Sequence, residues 1–166
     1  MTFAQIPAGA AVFLDANTIV YHFAADPIYG AACTQLLKRV ELQQLSGFTS
    51  THVLADVAHR LMTLEAINRF GWPASGIANH LRRRHSEIPK LTVYQQAMSG
   101  IGQMGIQLLP LTLAILQTAA SICQQYELMT GDALVVALMR SHGLTNIASL
   151  DTDFDGVPGM VRYTPT

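Results

Sequence analysis

The sequence predicts an α/β protein with a central, mainly parallel, twisted sheet flanked by helices on both faces. Three observations predict it. Short apolar runs of strand length recur along the chain, separated by longer segments with helical periodicity. Parallel strands need crossover connections, and the helices that make them cover the sheet. Half of the 166 residues are hydrophobic, and no repeat, linker or low-complexity tract divides them, so residues 1–166 read as one domain with one core.

The elements follow in order. Residues 10–14, bounded by Pro7 and Gly9 before and Asp15 after, form a short apolar run of the kind a buried strand uses. Helical patterns cover 29–45 and 51–70. The second carries Val53, Leu54, Val57, Leu61 and Leu64 on one face. Gly47 and Phe48 mark a short strand between them. Beyond Gly71-Trp72-Pro73 comes a more polar helix ending near His85, then Pro89, then a helix over 91–99. A strand at 106–109, helices over 112–126 and 132–142, a strand at 146–150 and an extended piece at 160–163 complete the order.

Composition excludes several classes. The formal net charge is −1, so no global positive field points to a nucleic-acid partner, and any basic surface must be local. Cys33 and Cys123 form no CxxC pair, which fits reduced thiols in a core better than a disulfide framework. The opening Met-Thr-Phe-Ala-Gln-Ile-Pro carries no basic leader and no membrane-spanning stretch; the expectation is a cytoplasmic protein without a membrane anchor. Ser99-Gly100-Ile101-Gly102-Gln103-Met104-Gly105 contains a formal GxGxxG. A helix precedes it and a strand follows, the reverse of a dinucleotide fingerprint, so it reads as a turn. Neither GxSxG nor a P-loop occurs.

Acidic residues are few, and several stand among apolar neighbours. Asp15 lies between two hydrophobic stretches, where an unpaired carboxylate is costly to desolvate; it either caps a helix or binds something positive. Asp132 heads a helix apolar on every side, with N-capping by Thr130 or Asp132 as the simpler role. Asp56 flanks the stripe of its helix and could pair with Arg60 at i,i+4. Asp151, Asp153 and Asp155 form an acidic turn, a place where solvated aspartates are common. Asp15 and Asp151 each follow a predicted strand, and sites in parallel sheets form beyond those carboxyl ends. Carboxylates gathered there repel one another unless a cation neutralises them. An all-oxygen donor set favours Mg²⁺ or Mn²⁺ over Zn²⁺, and such ions suit phosphodiester hydrolysis, particularly as a pair about 4 Å apart. His52 and Asp56, also i,i+4, lack a third ligand with zinc spacing.

The order of these segments carries a resemblance. Phe13-Leu14-Asp15-Ala16-Asn17-Thr18, Ser50 to Asp56 with its amphipathic helix, Thr130-Gly131-Asp132-Ala133-Leu134-Val135-Val136-Ala137, and Ser149-Leu150-Asp151-Thr152-Asp153-Phe154 together resemble the PIN-domain ribonucleases, and most of all the VapC-type toxins of toxin–antitoxin pairs. The resemblance implies a PIN-like fold, dependence on Mg²⁺ or Mn²⁺ and cleavage of single-stranded or looped RNA. It places the catalytic acids at Asp15, Asp56, Asp132 and Asp151. Metal ligands fall at Asp15, Asp132, Asp151 and Asp153, with Asn17 and Ser149 as supporting polar residues. It also implies a small antitoxin partner and a homodimer. One departure stands out: the second acidic position is usually Glu in that family, and Asp56 is one methylene shorter.

Arg82-Arg83-Arg84, followed by His85 with Lys90 nearby, is the densest basic run and the candidate contact for RNA phosphates, although basic runs are often simply solvated faces. Two rival functions remain. Asp15-Ala16-Asn17-Thr18 approaches the DxDxT loop of haloacid-dehalogenase-like phosphatases, with Asn17 in place of the second Asp. A catalytically weakened PIN-fold module that binds RNA or protein is the other, motivated by Asp56.

Overall fold

A computed structural model describes residues 1–166. The first strand, β1 (Ala11–Leu14), buries Val12, Phe13 and Leu14 completely, as an unbroken apolar run does in a strand covered on both faces. Helix α1 (Ala16–Phe23) starts immediately behind Asp15, α2 is Gly30–Glu41, and β2 (Ser46–Ser50) follows. Then come α3 (Thr51–Phe70), α4 (Ile77–Arg83), α5 (Val93–Gln103), β3 (Gln107–Leu109), α6 (Leu113–Tyr126), α7 (Thr130–Ser141), β4 (Asn146–Ala148) and β5 (Val161–Tyr163).

All five strands are parallel, in the order β3-β2-β1-β4-β5. Phe13 pairs with Phe48 on one side and Ile147 on the other, which fixes β1 as the centre. From β1 the chain steps outward through β2 to β3 and then returns across the sheet to β4. Right-handed crossovers put the helices of those two excursions on opposite faces. The contacts agree: α1 packs on α2 and α3, α3 on α5, and α6 on α7. Direction therefore reverses between β1 and β4, opening a crevice beyond their carboxyl ends.

Four elements differ from the sequence expectation. Helix α1 is additional; its Thr-Ile-Val content lowers helix propensity, and packing against α2 and α3 overrides that. Helix α2 ends at Glu41 rather than 45 because Gln43 takes a left-handed φ of 57°, a stop that neither Gly nor Pro announces. The Gly-rich stretch at 99–105 is not a turn throughout: Gly100 and Gly102 lie inside α5, and only Gly105, at φ 70°, turns the chain. A Cβ on Gly100 would sit 3.2 Å from Phe23 Cζ, so its glycine lets α5 approach α1 closely. Helix α7 begins at Thr130, two residues before Asp132.

The main core joins the sheet to α1, α2, α3 and α7, whose residues 133–139 are all buried. A second, small cluster of Ala66, Leu81 and Leu91 fixes α4 to the distal end of α3. Thr2 bridges Thr164, bringing the chain ends together beside β5. No helix is long and apolar enough to cross a membrane.

Candidate active site at the carboxyl end of the sheet

Asp15 leaves β1 at the crevice. Its Oδ1 accepts from the Ala16 N–H at 2.7 Å, so it does cap α1. Its Oδ2 accepts two further hydrogen bonds, from Asn17 Nδ2 at 2.6 Å and from Ser149 Oγ at 2.5 Å. Ser149, fully buried after β4, also accepts from Asn17 Nδ2 and from the Asp151 N–H, each at 3.0 Å. Asn17 Oδ1 accepts from the Leu150 N–H at 3.2 Å, and Thr18 Oγ1 donates to the Ala148 carbonyl at 2.8 Å. These bonds lock the ends of β1 and β4 together. Burial pushes the Asp15 carboxyl above its ordinary range, the Ser149 hydroxyl and Ala16 amide pull it back, and the Asp151 charge raises it again. Asn17 is spent as a donor to Asp15, which leaves it no acid–base role of the kind a phosphatase DxDxT loop needs.

Asp132 comes from the facing helix. The N-cap of α7 is Met129, which makes no side-chain cap hydrogen bond, so neither Thr130 nor Asp132 takes the capping position. Asp132 instead sits in the first turn, where its own backbone N–H supports the carboxylate. Oxygens of Asp132, Asp151 and Asp153 lie within 4.8 Å of one another, a spacing at which the three could hold one cation. Asp151 Oδ1 accepts from the Asp153 N–H at 3.0 Å, which shapes the turn. Burial, then the charges of Asp151, Asp15 and Asp153, push the Asp132 carboxyl up to about 6. Such mutual repulsion is what an oxygen-ligated divalent ion relieves, so the donor set fits Mg²⁺ or Mn²⁺.

Asp15 falls outside that three-way set but shares a narrow cleft with Asp132, Asp56 and His52. The cleft holds about 110 Å³, room for a few waters and an ion and too little for a nucleotide, so a polymeric substrate must lie across its mouth. Asp56, on α3, is half exposed and meets Arg60 at 3.7 Å, the ion pair expected for a surface helix. Its carboxylate lines the cleft from the rim.

His52, which the sequence offered only as a zinc ligand without a third partner, lines the cleft. Ser50 caps α3 by accepting from the Val53 N–H, and its hydroxyl lies 2.9 Å from His52 Nδ1. Burial lowers the His52 pKa; the Gly131 carbonyl and Asp56 charge oppose that. The ring thus spans from α3 to the first turn of α7, next to Asp132. Its signal was there to read: it stands one turn before Asp56 and just behind a capping serine.

The remaining acid of the turn points elsewhere. Asp155 takes a bidentate pair of 2.7 Å bonds from Arg162 of β5, which holds its carboxyl below the usual range. Arg162 Nη1 also donates to the Ser149 and Leu150 carbonyls at 3.3 and 3.5 Å. Arg82, Arg83 and Arg84 are exposed at the end of α4 and line no part of the cleft. Cys33 is buried, with its thiol pushed up to about 12, and Cys123 is partly buried in α6; neither forms a disulfide.

Comparison with known proteins gives one family and a set of similar folds. The PIN domain model matches residues 12–160. No curated protein sequence gives a significant match. Among solved structures, Mycobacterium tuberculosis VapC20, described as a toxin that cleaves the sarcin–ricin loop, is 17% identical with a TM-score of 0.64, over 90% of this chain and 96% of its own. A toxin–antitoxin complex from Klebsiella pneumoniae is 17% identical with a TM-score of 0.58, over 93% and 98%. Rickettsia felis VapBC2, bound to a DNA fragment from its promoter, is 12% identical with a TM-score of 0.59, over 93% and 98%.

Proposed function

The chain belongs to the PIN domain family, and from that premise we propose that it is a Mg²⁺- or Mn²⁺-dependent endoribonuclease, the toxin of a toxin–antitoxin pair. The observation that carries this reading is the convergence of Asp132, Asp151 and Asp153 within 4.8 Å, with Asp15 in the adjoining cleft. Asp132, Asp151 and Asp153 would hold the ion, Asp15 through its free lone pairs or through water. A bound divalent ion supplies Lewis-acid charge that favours deprotonation of an attacking water and offsets charge on the phosphodiester. The protein's own part is orientation. Ser149 and Asn17 fix the Asp15 carboxylate, the Asp151–Asp153 turn orders two more, and Asp132, held among these like charges, adds a carboxylate whose repulsion a bound cation would offset. Asp56 faces the cleft from its rim, where it orients water rather than touching the ion.

The substrate is RNA presented as a single strand or loop, since the narrow cleft meets only a backbone that crosses it. The fold likeness to toxins and toxin–antitoxin complexes supports an antitoxin protein as partner; a homodimer acting in the cytoplasm completes the proposal. The nuclease unit spans residues 1–166. The test is incubation with structured RNA in Mg²⁺, Mn²⁺ or EDTA, beside the Asp132→Asn variant. Cleavage that needs metal and is lost in the variant is expected; cleavage that survives either change rejects the mechanism. The half-exposed, Arg60-paired Asp56 favours one second reading, a weakened nuclease that binds RNA without cutting it.

A further inference from the structure

Charge in this molecule is segregated. Asp15, Asp56, Asp132, Asp151 and Asp153, five of the 11 acidic residues, surround the cleft. Arg69, Arg82, Arg83, Arg84 and Lys90, five of the ten basic residues, lie in residues 69–90 at the opposite end of α3. Fourteen residues of α3 separate Asp56 from Phe70, about 21 Å at 1.5 Å per residue. A polyanion approaching the carboxylates is repelled by them, so its binding energy has to come from elsewhere.

The distal lobe has the parts for that. Arg69 and Lys90 are engaged by Glu65 and Glu87, whereas Arg82, Arg83 and Arg84 take part in no ion pair. The exposed Arg84 carries its guanidinium over the Trp72 ring, 5.2 Å from the centroid, a cation–π contact. Trp72 is itself braced by Phe70 at 4.7 Å and His80 at 5.8 Å. The small Ala66, Leu81 and Leu91 cluster anchors the layer to α3. A rigid aromatic and guanidinium surface beside free arginines stacks unpaired bases while neutralising their phosphates; a duplex, whose bases are already stacked, gains only the second term.

We infer that the Trp72–Arg84 layer, with Arg82 and Arg83, is a binding site for single-stranded RNA, separate from the cleft and set to hold a substrate strand that the cleft then cuts. It rests on the nuclease reading for its ligand class. At about 3.4 Å per stacked nucleotide the 21 Å span corresponds to roughly six nucleotides. The helix dipole alone would account for cations in the last turn of α4, but it gives no reason for an exposed arginine laid on a partly buried tryptophan.

Trp72 is the one tryptophan in the chain, so its fluorescence reports this site alone. The full-length Asp132→Asn protein, which cannot degrade the probe, is titrated with a labelled 12-nucleotide single strand and with a duplex of the same sequence. Expected is saturable quenching of Trp72 by the single strand, with the same midpoint as anisotropy. The duplex should quench weakly. In the same background, Arg82→Ala, Arg83→Ala and Arg84→Ala together, all exposed substitutions checked by circular dichroism, should weaken binding about tenfold. They should also flatten the salt dependence by about two, at roughly 0.7 per phosphate contact. Binding without a Trp72 signal, equal quenching by duplex, an unchanged triple variant or no binding at all each overturns the proposal. Cleavage by the unsubstituted protein is read separately: cutting without quenching rejects only this site, and quenching without cutting rejects only the nuclease.

Discussion

Asp132→Asn separates electrostatic strain from function in a single substitution. In the metal-free protein the Asp132 carboxyl titrates at about 6 instead of its ordinary 3.8. The folded state therefore binds more protons than the unfolded chain between about pH 4 and 6. Stability falls as pH rises through that window, and the loss is complete above it. A shift of that size corresponds to at most about 3 kcal/mol at 1.36 kcal/mol per unit. The side chain is partly exposed, so solvent screening reduces this to on the order of 1 kcal/mol. Asparagine keeps the shape and removes the charge. At pH 8 in EDTA the variant should unfold at higher urea, or about 2–4 °C higher on heating for a chain of this size. At pH 4 the advantage should vanish, because the parent carboxyl is then protonated. Adding Mn²⁺ to a hundred times its dissociation constant should stabilise the parent by about 2.7 kcal/mol and the variant far less. A variant less stable than the parent at pH 8 in EDTA, or one that responds to Mn²⁺ as the parent does, would refute the account of a repulsive site waiting for a cation.

Other perturbations test the scaffold around it. Ser149→Ala removes the 2.5 Å bond to Asp15 and strands the Asp151 N–H; urea denaturation should register a loss of about 1–3 kcal/mol, with weaker Mn²⁺ binding by calorimetry. Asn17→Asp would set a second carboxylate where a donor now meets Asp15 at 2.6 Å. It should destabilise at pH 8 and recover towards pH 4, and a flat pH profile would contradict the hydrogen-bond assignment. Asp56→Glu extends the carboxylate by one methylene into the cleft, and cleavage assays should show equal or higher activity; a large loss would mean that Asp56 already contacts the ion. Gly47→Ala brings a Cβ to 2.5 Å from Val40 Cγ1, an overpacking worth about 1–3 kcal/mol in thermal melts, with metal affinity unchanged.

Physical legibility varied by residue. The strand before Asp15 and the buried helix behind Asp132 could be read because an uninterrupted apolar run has few places to go in a folded chain. Their carboxylates stood out by contrast with those neighbours. Helix α1 was hidden, since β-branched residues point to a strand and only contact with α2 and α3 makes the segment helical. The cap of α7 was misplaced because Thr130 and Asp132 are both good N-cap types, and the residue that takes the position, Met129, is a poor one. Which aspartates meet was also beyond one-dimensional spacing. Asp151 and Asp153 join Asp132 through an Asx turn, Asp155 is withdrawn by Arg162, and Asp15 stands beside the group in the cleft. His52 was set aside for want of a third zinc ligand, because its actual partners, Ser50 and Gly131, are a hydroxyl and a backbone carbonyl that no motif records.

Arg162 gives the three-residue edge strand β5 an influence out of proportion to its length. Its guanidinium clasps Asp155 and the carbonyls of Ser149 and Leu150, so the acidic turn is moored to an edge strand of the sheet. Peripheral strands fray first, and whatever is tied to them frays in step. Amide hydrogens of 149–156 should therefore exchange with deuterium at the same rate as those of β5, well ahead of β1. Ligand occupancy should slow both segments together, making the margin of the sheet a gauge of the catalytic rim.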